Sequence, residues 1–233
     1  MDKKTAYIVS LGLIISSLIL GIFFVMAKQP EQSIRVVGQG TKNIISDIAK
    51  WNINISKNTG IGNQQEGYIS VQNDLKKIRK FLNNNDIENK DILLEPITSY
   101  PLYGNNGISG YSFNQKVVVR SNDVAKIENM ALDIEAMSKA DIFLQNSTIE
   151  YFISNLAEMK AEMLALATVD AKSRAEEIAK STGNKVCNLI SAKSGVFQIR
   201  QPLSTDVSDY GIYNTSSKEK EVVVTVSALF NIK

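Results

Sequence analysis

The chain has 233 residues, with 26 Lys and Arg, 24 Asp and Glu, and no histidine, so its formal net charge is +2. Hydrophobic residues make up 44% of the chain, a globular composition that permits one or two domains with a real core. The lack of histidine excludes serine–histidine–aspartate triads, cysteine–histidine dyads and histidine metal sites, and the lone Cys187 excludes an internal disulfide. The balanced charge argues against a dedicated nucleic-acid-binding protein, which usually carries a strong basic excess.

The N-terminal segment predicts attachment to a membrane. Lys3 and Lys4 precede a run without charged residues from Thr5 to Ala27, which as a helix would measure roughly 35 Å. That length crosses a bilayer core of about 30 Å and exceeds the apolar region of a cleaved signal peptide. The sequence Val25-Met26-Ala27 keeps a cleaved signal peptide as the alternative. The positive-inside rule places both lysines in the cytoplasm and the bulk of the chain outside it, in the periplasm or at the cell surface.

The remainder of the chain predicts an extracytoplasmic domain with an α+β fold. We divide the sequence into an anchor or signal segment at 1–27, a linker at 28–33 and this domain at 34–233. From Ile48 to Tyr151 the hydrophobic periodicity follows the order β-α-β-β-α-β, the split-βαβ or ferredoxin-like arrangement. A short strand at 34–40 precedes this unit. A long helix at 155–182, a strand at 185–197, a polar loop at 200–220 and a last strand at 222–230 follow it.

Alternating residues predict which face of the first sheet is buried. Trp51, Ile53 and Ile55 alternate with polar residues, so we expect them in the core and Asn52 on a wet face. The apolar residues between Tyr68 and Leu82 fall on one stripe of a helix. We expect that stripe to pack against the face that bears Trp51.

Five short segments, taken in order, resemble a known family. They are Val37-Gly38-Gln39-Gly40, Tyr100-Pro101-Leu102-Tyr103, Gly110-Tyr111, Val117-Val118-Val119 and the helical run from Asp170 to Gly183. Together they resemble the SIMPL domain family of mostly bacterial periplasmic or surface proteins, some of which are called periplasmic immunogenic or oxidative-stress-defence proteins. The resemblance extends from about Ser33 to the C-terminus. It implies an α+β domain outside the cytoplasm, and it supplies no catalytic residues.

Two patterns suggest ligand sites but lack the residues that such sites need. Gly38-x-Gly40 is followed by neither the third glycine nor the helix of a dinucleotide-binding fingerprint, so we expect a bulge or turn at a strand end. Asn84, Asp86, Glu88 and Glu95 occupy EF-hand positions 1, 3, 5 and 12. Asn89 stands at position 6, where the calcium loop needs glycine, so we expect a solvated loop.

Three further patterns have structural interpretations that we favour. Tyr111 and Phe113 lie where an RNA-recognition motif carries its aromatic residues, but the flanking positions do not fit, so we expect core packing. Ser217 and Lys220 have the spacing of a serine–lysine pair, in a charged loop where catalysis needs a rigid, partly buried site. We expect Cys187 to be a buried small hydrophobe, with a reactive thiol as the alternative. The sequence thus predicts no catalytic, cofactor-binding or metal-binding residue.

Three classes of function remain open. We favour a membrane-anchored, non-enzymatic module that self-associates or acts as a scaffold in the cell envelope. The alternative is a ligand-binding or stress-protection protein of the periplasm or cell surface, and the third class is an enzyme with a histidine-free site. The partners that we expect are the membrane, through the N-terminal helix, and further copies of the same chain, but no nucleic acid.

The expectation of a homo-oligomer rests on surplus secondary structure. The long helix and the two later strands must join the first sheet, build a second layer or pair with another subunit at an exposed edge. Pro101 favours a sheet edge or a strand end, because proline cannot donate to the ladder. The aromatic residues beside it, Tyr100 and Tyr103, and the loop at 200–220 are the contact points that we expect.

Overall fold

The structure of the protein, a computed structural model, describes residues 3–27 and 32–233. Its helices are α1 (Lys3–Ala27), α2 (Gln64–Asn84), α3 (Val124–Leu132), α4 (Ile134–Lys139) and α5 (Leu156–Ser181), with a 3-10 turn at Asn89–Asp91. Its strands are β1 (Ser33–Ile45), β2 (Ile48–Gly60), β3 (Ile92–Leu94), β4 (Thr98–Gly104), β5 (Gly107–Ser121), β6 (Asn146–Phe152), β7 (Val186–Ser194), β8 (Gln198–Arg200), β9 (Ile212–Tyr213) and β10 (Glu219–Ile232). The α+β class is confirmed. The predicted linker lies outside the described residues except for its last two positions.

The chain divides into two compact units, each built from separate segments. Unit 1 comprises 1–38, 168–193 and 226–233, and unit 2 comprises 39–167 and 194–225. β1, α5 and β10 each contribute residues to both units. One sheet has the order β1-β10-β8-β9, with β7 also paired to β10, and the other has the order β3-β5-β2-β6, with β4 also paired to β5.

The second sheet lies within unit 2 and has the predicted order of elements. β2 pairs with both β5 and β6, and β5 pairs with β3, always antiparallel. β5 therefore lies between β2 and β3, so the connection through α2 skips one strand, as in a split β-α-β unit. The long β2–β5 ladder, from Ala49 opposite Ser121 to Gly60 opposite Gly110, forms the middle of this sheet.

The core of unit 2 lies between this sheet and helices α2, α3 and α4. Trp51, Ile53 and Ile55 are buried there, as the alternation predicts. Phe113 packs edge-to-face on Tyr68 of α2, with ring centroids 4.8 Å apart. The approach requires Gly67, because a Cβ at that position would lie 2.3 Å from the Phe113 ring.

The opposite face of this sheet is less wet than the sequence suggests. Asn52 is only 7% exposed, and its Nδ2 donates to Glu150 Oε2 over 3.0 Å. Lys50 Nζ reaches the same carboxylate oxygen at 2.7 Å. The prediction that Asn52 lies on a solvated face is therefore wrong, because cross-strand polar neighbours cover it.

Two predicted elements are interrupted for identifiable reasons. The strand expected at 92–103 is split into β3 and β4, because Pro96 has no N–H to donate and the Gln115 side chain donates to Glu95 O over 3.1 Å. The helix expected after β5 is split into α3 and α4 at Asp133, whose carboxylate accepts from Ala136 N over 2.8 Å and caps α4.

Unit 1 has a small core of its own. Val36 of β1, Ala171 and Ala175 of α5, and Ala228 and Phe230 of β10 are buried together, with Ile34 and Val186 packed against them. The alanines allow the helix to approach the strands closely. A single helix thus covers this part of the sheet with small side chains.

α1 coincides with the segment for which the sequence predicts a transmembrane helix. In the part of the chain that the structure describes, no helix is both long and apolar enough to cross a membrane. That part of the fold prediction finds no support in the structure.

Candidate functional site

The serine–lysine pair lies in a different environment from the predicted charged loop. Lys220 is fully buried at the start of β10, and its Nζ donates to Asn214 O and Ser217 O, both at 2.6 Å. The Ser217 hydroxyl instead donates to Glu219 O over 2.5 Å. The lysine therefore contacts the backbone of Ser217, and the two side chains do not form a catalytic pair.

Burial changes the acidity of this lysine. The loss of hydration lowers the pKa of Lys220 to about 8, and no carboxylate forms an ion pair with it among the described residues. The Tyr213 ring centroid lies 5.8 Å from Nζ. Because Nζ is buried and donates its hydrogen bonds to backbone carbonyls, Lys220 fixes the fold of segment 213–218. In this position Nζ is not accessible to a substrate.

Segment 213–218 is joined to the rest of unit 2 by polar contacts. Tyr151 N donates to Thr215 O over 2.8 Å, and Ser46 N donates to Lys218 O over 2.9 Å. Lys218 Nζ and the Tyr151 hydroxyl both contact the Glu128 carboxylate, at 2.6 and 3.0 Å. Burial, together with the hydrogen bond to Glu128, raises the pKa of Tyr151 to about 12. The side chains of Lys218, Glu128 and Tyr151 thus bond to one another and hold the segment in place.

The residues at the EF-hand-like positions do not converge on one site, and Glu88 and Glu95 form separate ion pairs. Glu88 pairs with Lys90 at 2.8 Å, and Glu95 pairs with Lys116 at 3.3 Å. Asp86 has a positive φ of 54° at the end of α2. Over residues 3–27 and 32–233, no group of three or more metal-ligating side chains is arranged to hold an ion.

Two sequence motifs have packing roles. Phe113 is buried and Tyr111 packs partly on the same core, so these aromatics face the helices, as predicted. Gly38-x-Gly40 lies in the middle of β1 and not at a strand end as predicted. A Cβ on Gly40 would lie 2.6 Å from Met163 O of α5, so the glycine permits a close approach of helix and strand.

The aromatic residues expected at an edge are exposed. β4 pairs only with β5 among the described strands, so Pro101 lies on an edge strand, as predicted. Tyr100 and Tyr103 extend from this strand into solvent. Whether they contact another molecule stays a prediction.

A second exposed edge was missed from the sequence. β7 pairs with β10 alone among the described strands, and all of its residues after Val186 are exposed, on both faces. The prediction that Cys187 is buried is therefore wrong, since neither face of the strand is covered there. Leu189 and Ile190 are exposed on opposite faces of the same strand.

Charge distinguishes the strands of unit 1 from the rest of the molecule. The segments 33–38, 185–193 and 226–233 contain no Asp or Glu. Arg35, Lys185 and Lys193 are exposed there, and none forms an ion pair within the described residues. Unit 1 thus has an edge strand, β7, whose exposed apolar side chains lie among strand segments that carry cations and no Asp or Glu.

Comparison with known proteins identifies the family. No curated protein matches the chain. Residues 34–230 match the family model named SIMPL, which is described as a protein of unknown function (DUF541). The match spans both sheets and confirms the resemblance seen in the sequence. The chain therefore belongs to the SIMPL family.

Proposed function

We propose that the protein is a non-enzymatic module that associates with copies of itself and is attached to a membrane by α1. The observation that carries the proposal is the open edge of β7 in unit 1, because β7 pairs with β10 alone among the described strands and is exposed on both faces after Val186. Edge strands of natural proteins are normally short, charged, interrupted by proline or covered. β7 has nine residues with one charge, Lys193, and no proline, so it lacks these protections.

A second feature supports association rather than ligand capture. A groove of about 670 Å³ in unit 2 is lined mostly by charged and polar residues, including Lys50, Lys90 and Arg120, with Leu93 and Val118 as its apolar members. Ligand sites are typically concave and mostly apolar, with a few convergent polar groups. This groove does not fit that description, so the ligand-binding alternative has less support than self-association.

The membrane attachment is supported by the side chains of α1. Those that the structure describes between Tyr7 and Phe24 are all exposed. A helix with exposed apolar side chains on all sides is stabilised by an apolar surrounding such as a bilayer. Lys3 and Lys4 favour a cytoplasmic N-terminus, with the SIMPL domain in the periplasm or at the cell surface.

Light scattering on the full chain in a mild detergent tests self-association. We expect a protein mass of several copies, and we expect Ile190→Lys to reduce it, because lysine on an edge opposes strand pairing. Ile69→Lys on α2 is the matched control, since Ile190 and Ile69 are 42% and 52% exposed. A single-copy mass up to high micromolar concentration contradicts the proposal.

Protease treatment of intact spheroplasts tests the attachment separately. We expect the SIMPL domain to be degraded and the protein to remain with the membrane fraction until α1 is removed. Complete protection of the domain contradicts an extracytoplasmic location.

A further inference from the structure

The loop between β8 and β9 exposes three large apolar side chains. We call residues 201–211 the acidic loop, because Asp206 and Asp209 are its only charged residues. Leu203 and Tyr210 are 97% and 98% exposed, and Val207 is also largely in solvent. Asp206 and Asp209 form no ion pair within the described part of the chain. Although the Ser204 hydroxyl donates to Asp206 over 2.9 Å, no cation neutralises either carboxylate among the described residues, so the loop presents apolar side chains together with negative charge.

Side chains of β8 hold this loop in one conformation. Gln198, which is buried, donates from Nε2 to Ser208 O over 2.7 Å and accepts from Ser208 N. Arg200 donates to Asp206 O over 3.1 Å and is itself fixed by Glu221 at 2.9 Å. These anchors order the backbone while the apolar side chains remain uncovered. An ordered loop with uncovered apolar residues is typical of a recognition element.

The backbone at Leu203 strengthens this interpretation. Its φ of +65° lies in the left-handed region, which favours glycine and is costly for a leucine. A residue in such a conformation persists where the surrounding structure holds it, and such residues concentrate at functional sites. The side chain gains no burial within the described chain in return.

Unit 1 carries a surface of the opposite character. Val36, Val186 and Phe230 face the core, so the alternating residues of the same strands lie on the other side of the sheet. These include Arg35 and Val37 of β1, and Leu189 and Lys193 of β7, all exposed, which we call the basic face. This face combines apolar side chains with cations that lack ion-pair partners among the described residues.

We infer that the acidic loop of one copy docks on the basic face of a second copy. The inference rests on the proposed self-association and adds a second contact to the β7 edge, made by these two surfaces. Both surfaces expose apolar side chains, and their charges are opposite. Complementary charge steers association and disfavours wrong partners. Because the two surfaces differ, the contact is heterologous and builds a ring or an open chain of copies.

Charge reversal on the full chain in mild detergent tests the inference. We expect Asp206→Lys with Asp209→Lys to weaken association more than about tenfold, because like charges would then face each other. Arg35→Glu with Lys193→Glu should weaken it similarly. Mixing the two reversed proteins should restore association, since their altered surfaces are again complementary. Glu66→Lys with Glu219→Lys changes the net charge equally at exposed sites and should leave association intact.

A second variant keeps the test independent of loop folding. Leu203→Gly removes the apolar side chain at a positive φ that suits glycine. We expect it to fold with an unchanged melting temperature and to associate less tightly. Association that is unchanged in Leu203→Gly and in both charge reversals overturns the inference but leaves the proposed function standing. Full-length protein that stays a single copy overturns both the inference and the proposed self-association. Binding of the basic face to anionic vesicles without self-association assigns that face to a membrane instead.

Discussion

The two units differ in how completely each covers its own sheet. Unit 2 packs large side chains such as Trp51, Ile53 and Phe113 beneath three helices. Unit 1 packs Ala171 and Ala175 of one helix against its strands and leaves β7 uncovered. A core of large side chains stabilises its unit from within, whereas a thin alanine layer leaves apolar strand surface for another molecule. The difference favours unit 2 as the more stable unit, and the open edge of β7 supports the proposed association.

The largest effect is expected from a charge in the core of unit 2. Ile53→Asp would bury a carboxylate without a partner, which costs several kcal/mol in a domain that has about 5–15 to lose. We expect no cooperative unfolding transition in calorimetry or circular dichroism. Ile69→Asp introduces the same side chain at an exposed site of α2 and should unfold normally. Equal melting temperatures for the two variants would contradict the assignment of the core.

The corresponding test in unit 1 places a larger side chain in its core. Ala175 is fully buried between α5 and the strands, so Ala175→Leu should overpack the helix contact and cost about 1–3 kcal/mol. Hydrogen exchange should report the loss in the amides of 226–232 and leave those of β2 protected. Ala192→Leu on the exposed part of β7 is the control and should be silent. Faster exchange throughout β2 in Ala175→Leu would mean that the alanine layer also supports unit 2.

The contrast between the units could be predicted only in part from the sequence. The alternation of Trp51, Ile53 and Ile55 with polar residues predicts the core of unit 2, because large apolar side chains at every second position indicate the buried face of a strand. In β1 the buried positions include Gly38 and Gly40, which have no apolar side chain to reveal their burial. The predicted strand therefore ends at residue 40, whereas β1 continues to Ile45. The burial of Gly40 depends on the close approach of α5, which no local sequence pattern predicts.

The exposed surfaces were harder to predict for a related reason. β7 reads as a strand with apolar residues, and the sequence alone suggests that Cys187 is buried within it. Which faces of a strand are covered depends on neighbours that lie far away along the chain, and none of the described residues covers β7 after Val186. The acidic loop is predicted as polar, which is correct for its composition but hides the exposed Leu203 and Tyr210. The sequence places Lys220 in a charged loop, because the spacing of Ser217 and Lys220 says nothing about burial.

A dependence of stability on pH would test the one cation buried in unit 2. The pKa of Lys220 is lowered to about 8 by burial, from an ordinary value of 10.5. Between these two pH values the unfolded chain binds more protons than the folded chain, so the free energy of unfolding rises as pH increases. At about 1.4 kcal/mol for each unit of pKa, we expect a rise on the order of 2 kcal/mol.

Urea titrations from pH 7.5 to 9.5 would measure this rise. Lys220→Met removes the titrating group and should flatten the pH dependence, whatever its effect on stability at pH 7.5. Tyr151 does not interfere in this range, because its raised pKa of about 12 removes stability only above about pH 10. A slope that is equal in Lys220→Met and the natural protein would show that the ammonium is hydrated in solution.

The smallest effect is expected at Asn52, on the polar face of the sheet in unit 2. Asn52→Asp replaces a donor to Glu150 by a second carboxylate, with the loss of a hydrogen bond to a charged group. We expect a cost of about 1 kcal/mol at pH 7, because the nearby Lys50 ammonium offsets part of the repulsion between the two carboxylates. Asn58→Asp, at an exposed position of the same strand, should be silent.

The acid side of the pH range identifies the cause of that cost. In the natural protein the hydrogen bonds from Lys50 and then Asn52 lower the pKa of Glu150. In Asn52→Asp the second carboxylate opposes ionisation of the pair, so its apparent pKa rises and a proton is taken up on folding. The stability difference from the natural protein should therefore shrink as pH falls through about 4.5. A difference that stays constant from pH 7 to pH 4 would show that Asn52 acts by packing, and would make this face part of the core rather than a polar surface.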